Sequence, residues 1–211
     1  GALIADDGLE IPGRLELEDA ARDFRRDADR ASAAVDLLAA VEEAGIPSGP
    51  MRIPHPGKAW SVQAAGWTLG VPFTGHPMIG HDIIYEHPLA SGSAIGRTGM
   101  RDFLCFAEGV SRLSGGVYLS VGSAVMSPMI FEKSLNMARN IARQRGGTIE
   151  GHYLFVADLA PATWDWASAG EPPVDDPAYY LRYCKSFGRM GGTLRYLTAD
   201  NRDLLLGLRR R

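Results

Sequence analysis

Cysteine is scarce. Cys105 and Cys184 are the only two in 211 residues, too few and too far apart for a disulfide framework or a zinc-type ligand set. Both are expected to be reduced, buried and chemically silent. No stretch approaches 18 consecutive apolar residues, so no membrane-spanning helix is expected, and no basic-then-apolar leader opens the chain. An excess of positive charge is also missing. Lys and Arg number 22 against 25 Asp and Glu, for a net charge of −3, which argues against a strongly basic nucleic-acid-binding surface. These absences lead to the expectation of a cytoplasmic globular chain that binds neither nucleic acid nor a membrane. Glycine, by contrast, is abundant at 25 residues. That number without a repeat implies many tight turns and close backbone approaches.

Residues 14–44 lack Pro and Gly, and their apolar positions recur at helical spacing until Gly45. They are expected to form one long helix or two shorter ones, within an N-terminal helical segment over residues 1–46. The Pro- and Gly-rich stretch 47–57 follows as a linker. From residue 58 to 211 the pattern alternates. Helices are expected at 59–69, 98–113, 129–145 and 179–190, with a last helix capped by Asp200. Strands are expected at 71–74, 83–85, 117–121, 153–157 and 193–198. This order predicts an α/β domain built on a parallel sheet with helices on both faces, in which ligands gather at the carboxyl ends of the strands.

The segment Gly122-Ser123-Ala124-Val125-Met126-Ser127-Pro128 joins one such strand to a helix. A glycine there permits close approach of a ligand, Ser123 offers a hydroxyl, and the helix start favours an anion. The same residues also make a turn with a serine cap. The next strand ends in Asp158, a carboxylate suited either to ribose hydroxyls or to capping the following turn. Gly92-Ser93-Ala94-Ile95-Gly96-Arg97 has two glycines flanking small residues, a poor dinucleotide fingerprint, but one able to wrap a ligand with Arg97 against an anionic group.

Three of the five histidines, His76, His81 and His87, fall within twelve residues, together with Asp82. Such side chains serve as acid–base groups, as metal ligands or as partners of nearby backbone. Their spacing matches no zinc signature. Between Asp158 and Tyr179 a long loop carries Trp164 and Trp166, suited to a partner subunit, a ligand lid or simple packing.

The Gly122 segment resembles the nucleotide-contacting loop of sirtuins and related NAD-binding domains. Over residues 60–145, the run Gly80-His81-Asp82-Ile83-Ile84-Tyr85-Glu86-His87-Pro88, the pair Gly92 and Gly96, Arg101-Asp102-Phe103 and the Gly122 loop look like a bacterial deoxyhypusine-synthase-like family. That resemblance implies a Rossmann-like three-layer NAD/FAD-binding fold, NAD as cofactor and a homo-oligomer. It also implies Gly122, Ser123, Ala124, Asp158, Gly92 and Gly96 as cofactor-binding residues, with Asp82, His87 and His81 as catalytic candidates. Family members are longer, with a further Gly-rich loop in an N-terminal half not matched here. The Gly-Gly-Gly-Val-Pro-Lys-His-His motif that holds the catalytic lysine of true deoxyhypusine synthases has no counterpart either, since Lys58, Lys133 and Lys185 lie in other contexts. The expectation is thus a nucleotide-binding enzyme domain acting on a small-molecule ligand. The alternatives are a non-catalytic binding or assembly module of the same fold, or a metal-dependent hydrolase built on His76, His81 and His87.

Overall fold

The computed structural model describes residues 1–210, apart from the side chains of residues 182 and 183. It is a mixed α/β protein. Among the described residues it has eight α-helices, a three-stranded parallel sheet and a two-stranded antiparallel one. Two compact units divide the chain, Gly1–Cys105 and Phe106–Arg211.

In the first unit, α1 (Ala2–Asp6) leads into β1 (Gly8–Ile11), which pairs antiparallel with β2 (Gly49–Arg52). The helical pattern after residue 14 resolves into two helices, α2 (Arg14–Arg22) and α3 (Ala28–Ala44). The chain breaks between them because the Asp27 carboxylate accepts the Arg30 amide and so starts α3 afresh. Gly45, at φ 62°, ends α3 in the left-handed conformation that a side chain disfavours. Next come α4 (Val62–Leu69) and α5 (Gly92–Ser111), whose first turns belong to this unit. The strands expected at 71–74 and 83–85 are absent. Residues 83–86 form a single 3₁₀ turn and 71–82 have no regular element. Pro72 and Pro77 remove amide donors from this stretch, and no neighbouring strand is present to use the rest. The alternation of strand and helix therefore begins at residue 117, not near 59. The buried apolar residues here are Ile11, Leu17, Ala31, Ala34 and Ala64, a core dominated by alanine.

In the second unit, β3 (Val117–Val121), α6 (Met126–Gln144), β4 (Tyr153–Asp158), α7 (Arg182–Arg189), β5 (Thr193–Thr198) and α8 (Asn201–Arg209) follow in order. The strands pair in parallel as β3-β4-β5, with Val117 opposite Tyr153 and Tyr153 opposite Thr193. Successive strand side chains face opposite sides. On one side Tyr118, Ser120, Leu154, Val156, Leu194 and Tyr196 meet the helices. Phe131 and Leu135 of α6, with Cys184 and Phe187 of α7, are fully buried against them. The Tyr118 and Phe131 ring centroids are 4.4 Å apart, and those of Phe131 and Phe187 are 5.5 Å apart. On the other side Val117, Leu119, Tyr153, Phe155 and Leu197 remain exposed. The helices expected on both faces thus form one core on one face, since α6 and α7 pack against each other.

Cys105 differs from its expected setting. Cys105 is exposed, while Cys184 is buried. Cys105 stands two positions before the buried Ala107 on α5, hence on the opposite side of that helix. Burial, with the Asp158 charge, pushes the Cys184 thiol up to about 12, so it stays protonated and inert. Of the roles open to the two tryptophans, packing is the one seen: Trp166 belongs to the core of the second unit, and Trp164 packs on that core with its indole N–H donating to Gly170. His152, just before β4, is only 1% exposed.

Two outcomes follow. Leu154→Ala should cost about 2–5 kcal/mol in urea unfolding, because a fully buried side chain leaves a cavity. Burial first, then the Arg139 charge, holds His152 neutral below the ordinary histidine range. The unfolded chain gains a proton near pH 6.5 that the folded chain refuses. Stability is thus full above that pH and falls as pH drops from about 6.5. In urea unfolding between pH 7.5 and 5, His152→Leu should flatten this slope.

Candidate functional site

The carboxyl ends of β3, β4 and β5 lie side by side in the second unit. Gly122 follows β3 with φ 64°, and its amide donates to the Ala157 carbonyl, 3.0 Å away. A Cβ at this position would lie 2.5 Å from Nδ2 of Asn201, the first residue of α8. Two constraints therefore demand glycine here, the left-handed backbone and the asparagine packed over it. The Ser123 hydroxyl accepts the Ser127 amide at 3.0 Å, so it caps the start of α6. Tyr118 reaches the same turn, its hydroxyl 2.9 Å from Ser127 Oγ. Pro128 falls in the first turn, where a missing N–H costs nothing. Ala124 is exposed. Asp158 closes β4, and its Oδ1 accepts the Ala160 amide at 3.1 Å. Gly122, Ser123, Ala124 and Asp158 thus share one edge of one sheet. They border the N-terminal amides of a 19-residue helix, a setting that favours an anion beside a carboxylate suited to hydroxyls. Asn201 belongs to the same edge, and nothing in the sequence pointed to it.

The remaining candidates lie in the first unit. Gly92 and Gly96 do not form a loop. They are in the first turns of α5, which begins six residues before its expected start. Ser91 starts this helix, its hydroxyl accepting the Ala94 amide at 3.2 Å. The place an anion would take beside it is filled by Asp36 of α3. Oδ1 of Asp36 accepts the hydroxyls of Ser91, at 3.0 Å, and of Ser93, while Oδ2 accepts Arg97 at 3.0 Å. The hydroxyl of Ser93 first, with Arg97 and Ser91, outweighs burial and holds the Asp36 carboxyl below the usual carboxylate range. The expected carboxylate partner of Arg97 is therefore inside the protein. Asp36 was legible in principle, since it is the one charged residue in the run from Ala31 to Val41.

Above this cluster runs a groove of about 880 Å³ between α3 and residues 83–97. Its walls are largely apolar, from Leu37, Ala40, Ile84, Leu89 and Ile95, and its polar members are His87, Arg97, Asp36, Glu43 and Ser91. The size and lining suit a small organic ligand. His87 Nδ1 accepts the Leu89 amide at 3.1 Å, which leaves Nε2 as the protonated nitrogen of the neutral ring. His81 and Asp82 do not line the groove. Asp82 instead accepts the Met78 amide and closes the turn 78–82. His76 Nε2 lies 2.9 Å from Thr74 Oγ1, and its pKa is lowered by burial against the opposing Asp102 charge. Asp102 also accepts the Gly75 amide at 2.6 Å, and Arg101 pairs with Asp29. Among the described residues, no three His, Cys, Asp or Glu side chains come together to hold a metal ion.

Comparisons of the chain with protein families, with curated proteins and with solved structures return no match. Among the described residues no helix is long and apolar enough to cross a membrane.

Asp36→Asn should lower the melting temperature of the chain, while Asp19→Asn on the exposed surface of α2 leaves it unchanged. For the folded chain the Asp36 carboxylate is the favoured form. Its contribution is complete above the unfolded value near pH 3.9 and disappears as pH falls below it. Acid titration of the melting temperatures of the parent chain and Asp36→Asn, which should converge as pH falls through the lowered value of the folded Asp36 carboxyl, checks both.

Proposed function

We propose that the second unit is a Rossmann-like nucleotide-binding domain and that it takes NAD, or a related nucleotide, at the carboxyl edge of its parallel sheet. The observation that carries this reading is the shared edge itself. A left-handed glycine, the N-terminal end of α6 and the Asp158 carboxylate stand together where parallel sheets receive ligands. A phosphate would sit at the α6 start over Gly122, Ser123 and Ala124, and Asp158 would accept ribose hydroxyls. This reading agrees with the likeness to deoxyhypusine-synthase-like and sirtuin-type loops. On it, the chain is a nucleotide-binding enzyme domain, and within the first unit His87, which borders the apolar groove, is the acid–base candidate best placed to meet a ligand of that groove.

A second reading is a binding module without catalysis. It is favoured by the engagement of Asp82 and His87 with their own loop backbone, which suffices to explain both residues as parts of a shaped turn.

Thermal unfolding in the presence of NAD⁺ separates these from no nucleotide binding at all. A nucleotide at 100 times its dissociation constant adds about 2.7 kcal/mol, a rise of a few degrees. Asp158→Ala should abolish the rise while the unliganded chain still folds. Gly122 variants are less suitable, since strain at φ 64° and the contact with Asn201 would destabilise them. No rise at millimolar NAD⁺, NADH or AMP overturns the proposal. Binding with no turnover in any His87-dependent assay selects the binding module.

A further inference from the structure

In the groove of the first unit, α3 and the segment 83–97 face each other, and the tie at Asp36 closes one end. On the α3 side its lining residues run from Ala33 to Glu43, which is about 15 Å of helix at 1.5 Å per residue. The volume of about 880 Å³ lies towards the upper end of what small-molecule sites enclose. Between the tie and Glu43 the α3 wall is aliphatic, with Leu37, Ala39 and Ala40, and Ile84, Leu89 and Ile95 belong to the opposite side. The shape on offer is therefore long and mainly apolar.

The charges already present decide which polar group an occupant can carry. The Asp36 and Arg97 side chains, 14% and 17% exposed, pair at 3.0 Å. The Ser91 and Ser93 hydroxyls donate to the same carboxylate. This end of the groove is thus neutral as a whole. A ligand carboxylate placed at Arg97 would face Asp36 across the same guanidinium, and a ligand ammonium would face Arg97 itself. Both repulsions act where little water reaches to screen them. Glu43 is the one lining carboxylate left over, but it is exposed, so water weakens its pull on a cation. A charged occupant finds no buried counter-charge here. One buried donor does remain unspent. Nε of Arg97 is buried and, among the described residues, has no acceptor, a rare and costly condition for an N–H group. His87, whose Nδ1 accepts the Leu89 amide, adds a second N–H to the same lining.

We infer that the groove takes an elongated, uncharged molecule with a carbonyl group at one end, Arg97 Nε donating to the carbonyl oxygen and the apolar body lying along α3 towards Glu43. Ketones, esters and amides share this chemistry. A carbonyl oxygen accepts a hydrogen bond without bringing a net charge against Asp36, and so satisfies the one buried donor that the protein leaves unmatched. The Asp36 tie prepares the site. Its Oδ2 accepts from Nη2 of Arg97 while its Oδ1 is held by two serines, so the guanidinium is fixed before any ligand arrives and little freedom is lost on binding. The inference rests on the groove as a ligand site within the first unit, and not on the nucleotide reading of the second.

Methyl hexyl ketone, octanoate and octylammonium have the same number of carbons and differ in the polar group. Each is titrated into the nitrogen-15-labelled full chain, with backbone amide and arginine Nε–H signals followed by NMR. The ketone should shift the amides of Leu37, Ala40, Leu89 and Ile95 and the Arg97 Nε–H signal together, with one dissociation constant. Octanoate and octylammonium should bind at least about 10-fold more weakly. Ala40→Trp, one turn along α3 from Asp36, fills the groove and should weaken the ketone by a similar factor. The Arg97 Nε–H signal reads the same contact in the parent chain, so the result does not depend on that variant folding. Equal or tighter binding of either charged probe overturns the inference, as do groove shifts that leave the Arg97 Nε–H signal in place. A ketone that produces no saturable shift at the groove overturns it too. Groove signals that move with protein concentration alone also overturn it, since a second copy of the chain would then be the occupant. NAD⁺ added to the same sample is read at Gly122 and Asp158, so the nucleotide reading stands or falls separately.

Discussion

The second unit depends on burial along one side of a three-stranded parallel sheet. Parallel strands need crossovers, and both crossover helices here lie on the same face, so Phe131, Leu135, Leu154, Cys184 and Phe187 come together in one dry cluster. That cluster aligns the three strands, and the alignment brings their carboxyl ends into one edge. The site inherits its geometry from the core. Ser123 meets Ser127 because α6 is held over β3, and Gly122 meets Asn201 because α8 returns to the same edge. The one-sided core also leaves the opposite face open, so the sheet edge and the bare apolar face have the same origin.

The first unit has a different balance. Its buried apolar set is short and rich in alanine, and each alanine contributes little apolar area. A polar tie stands where a larger core would otherwise hold two segments together. Asp36 of α3 accepts two serine hydroxyls and a guanidinium from the start of α5, an arrangement in which removing Asp36 or Arg97 strands the charge of the other. The tie fixes one end of the groove that His87 borders, so an ion pair between distant segments shapes that concavity.

Particular residues show where sequence reading reached. Residues 117–121 and 193–198 were expected as strands and are strands with those bounds, because short β-branched and aromatic runs bounded by glycine have few other uses. Gly45, Gly70 and Asp200 mark helix ends where the pattern placed them. Residues 71–74 and 83–85 share the composition of strands but have no neighbour to pair with, and pairing is not a local property. The start of α5 was misread since Gly92 and Gly96 disfavour helix, whereas the Ser91 cap and the Asp36 carboxylate, 55 residues away, favour it. Of the site, the Gly122 turn and Asp158 were visible as turn and strand-end chemistry. Asp36 and Asn201 act only through folding contacts, and His81, Asp82 and His87 are near in sequence while only His87 reaches the groove.

By itself the sequence determined what is local: which runs are helix or strand, where glycine must turn the chain, and that charge and apolar content suit a packed domain. Hydrogen-bond capping, helical period and backbone sterics act over a few residues, and so are written in order along the chain. Tertiary structure alone decided that the sheet has three parallel strands, that its helices crowd one face, that Trp166 is core, and that Asp36 stands at the start of α5. Each of these is a choice between distant partners, set by which apolar surfaces exclude water together, and no short stretch of residues contains that choice.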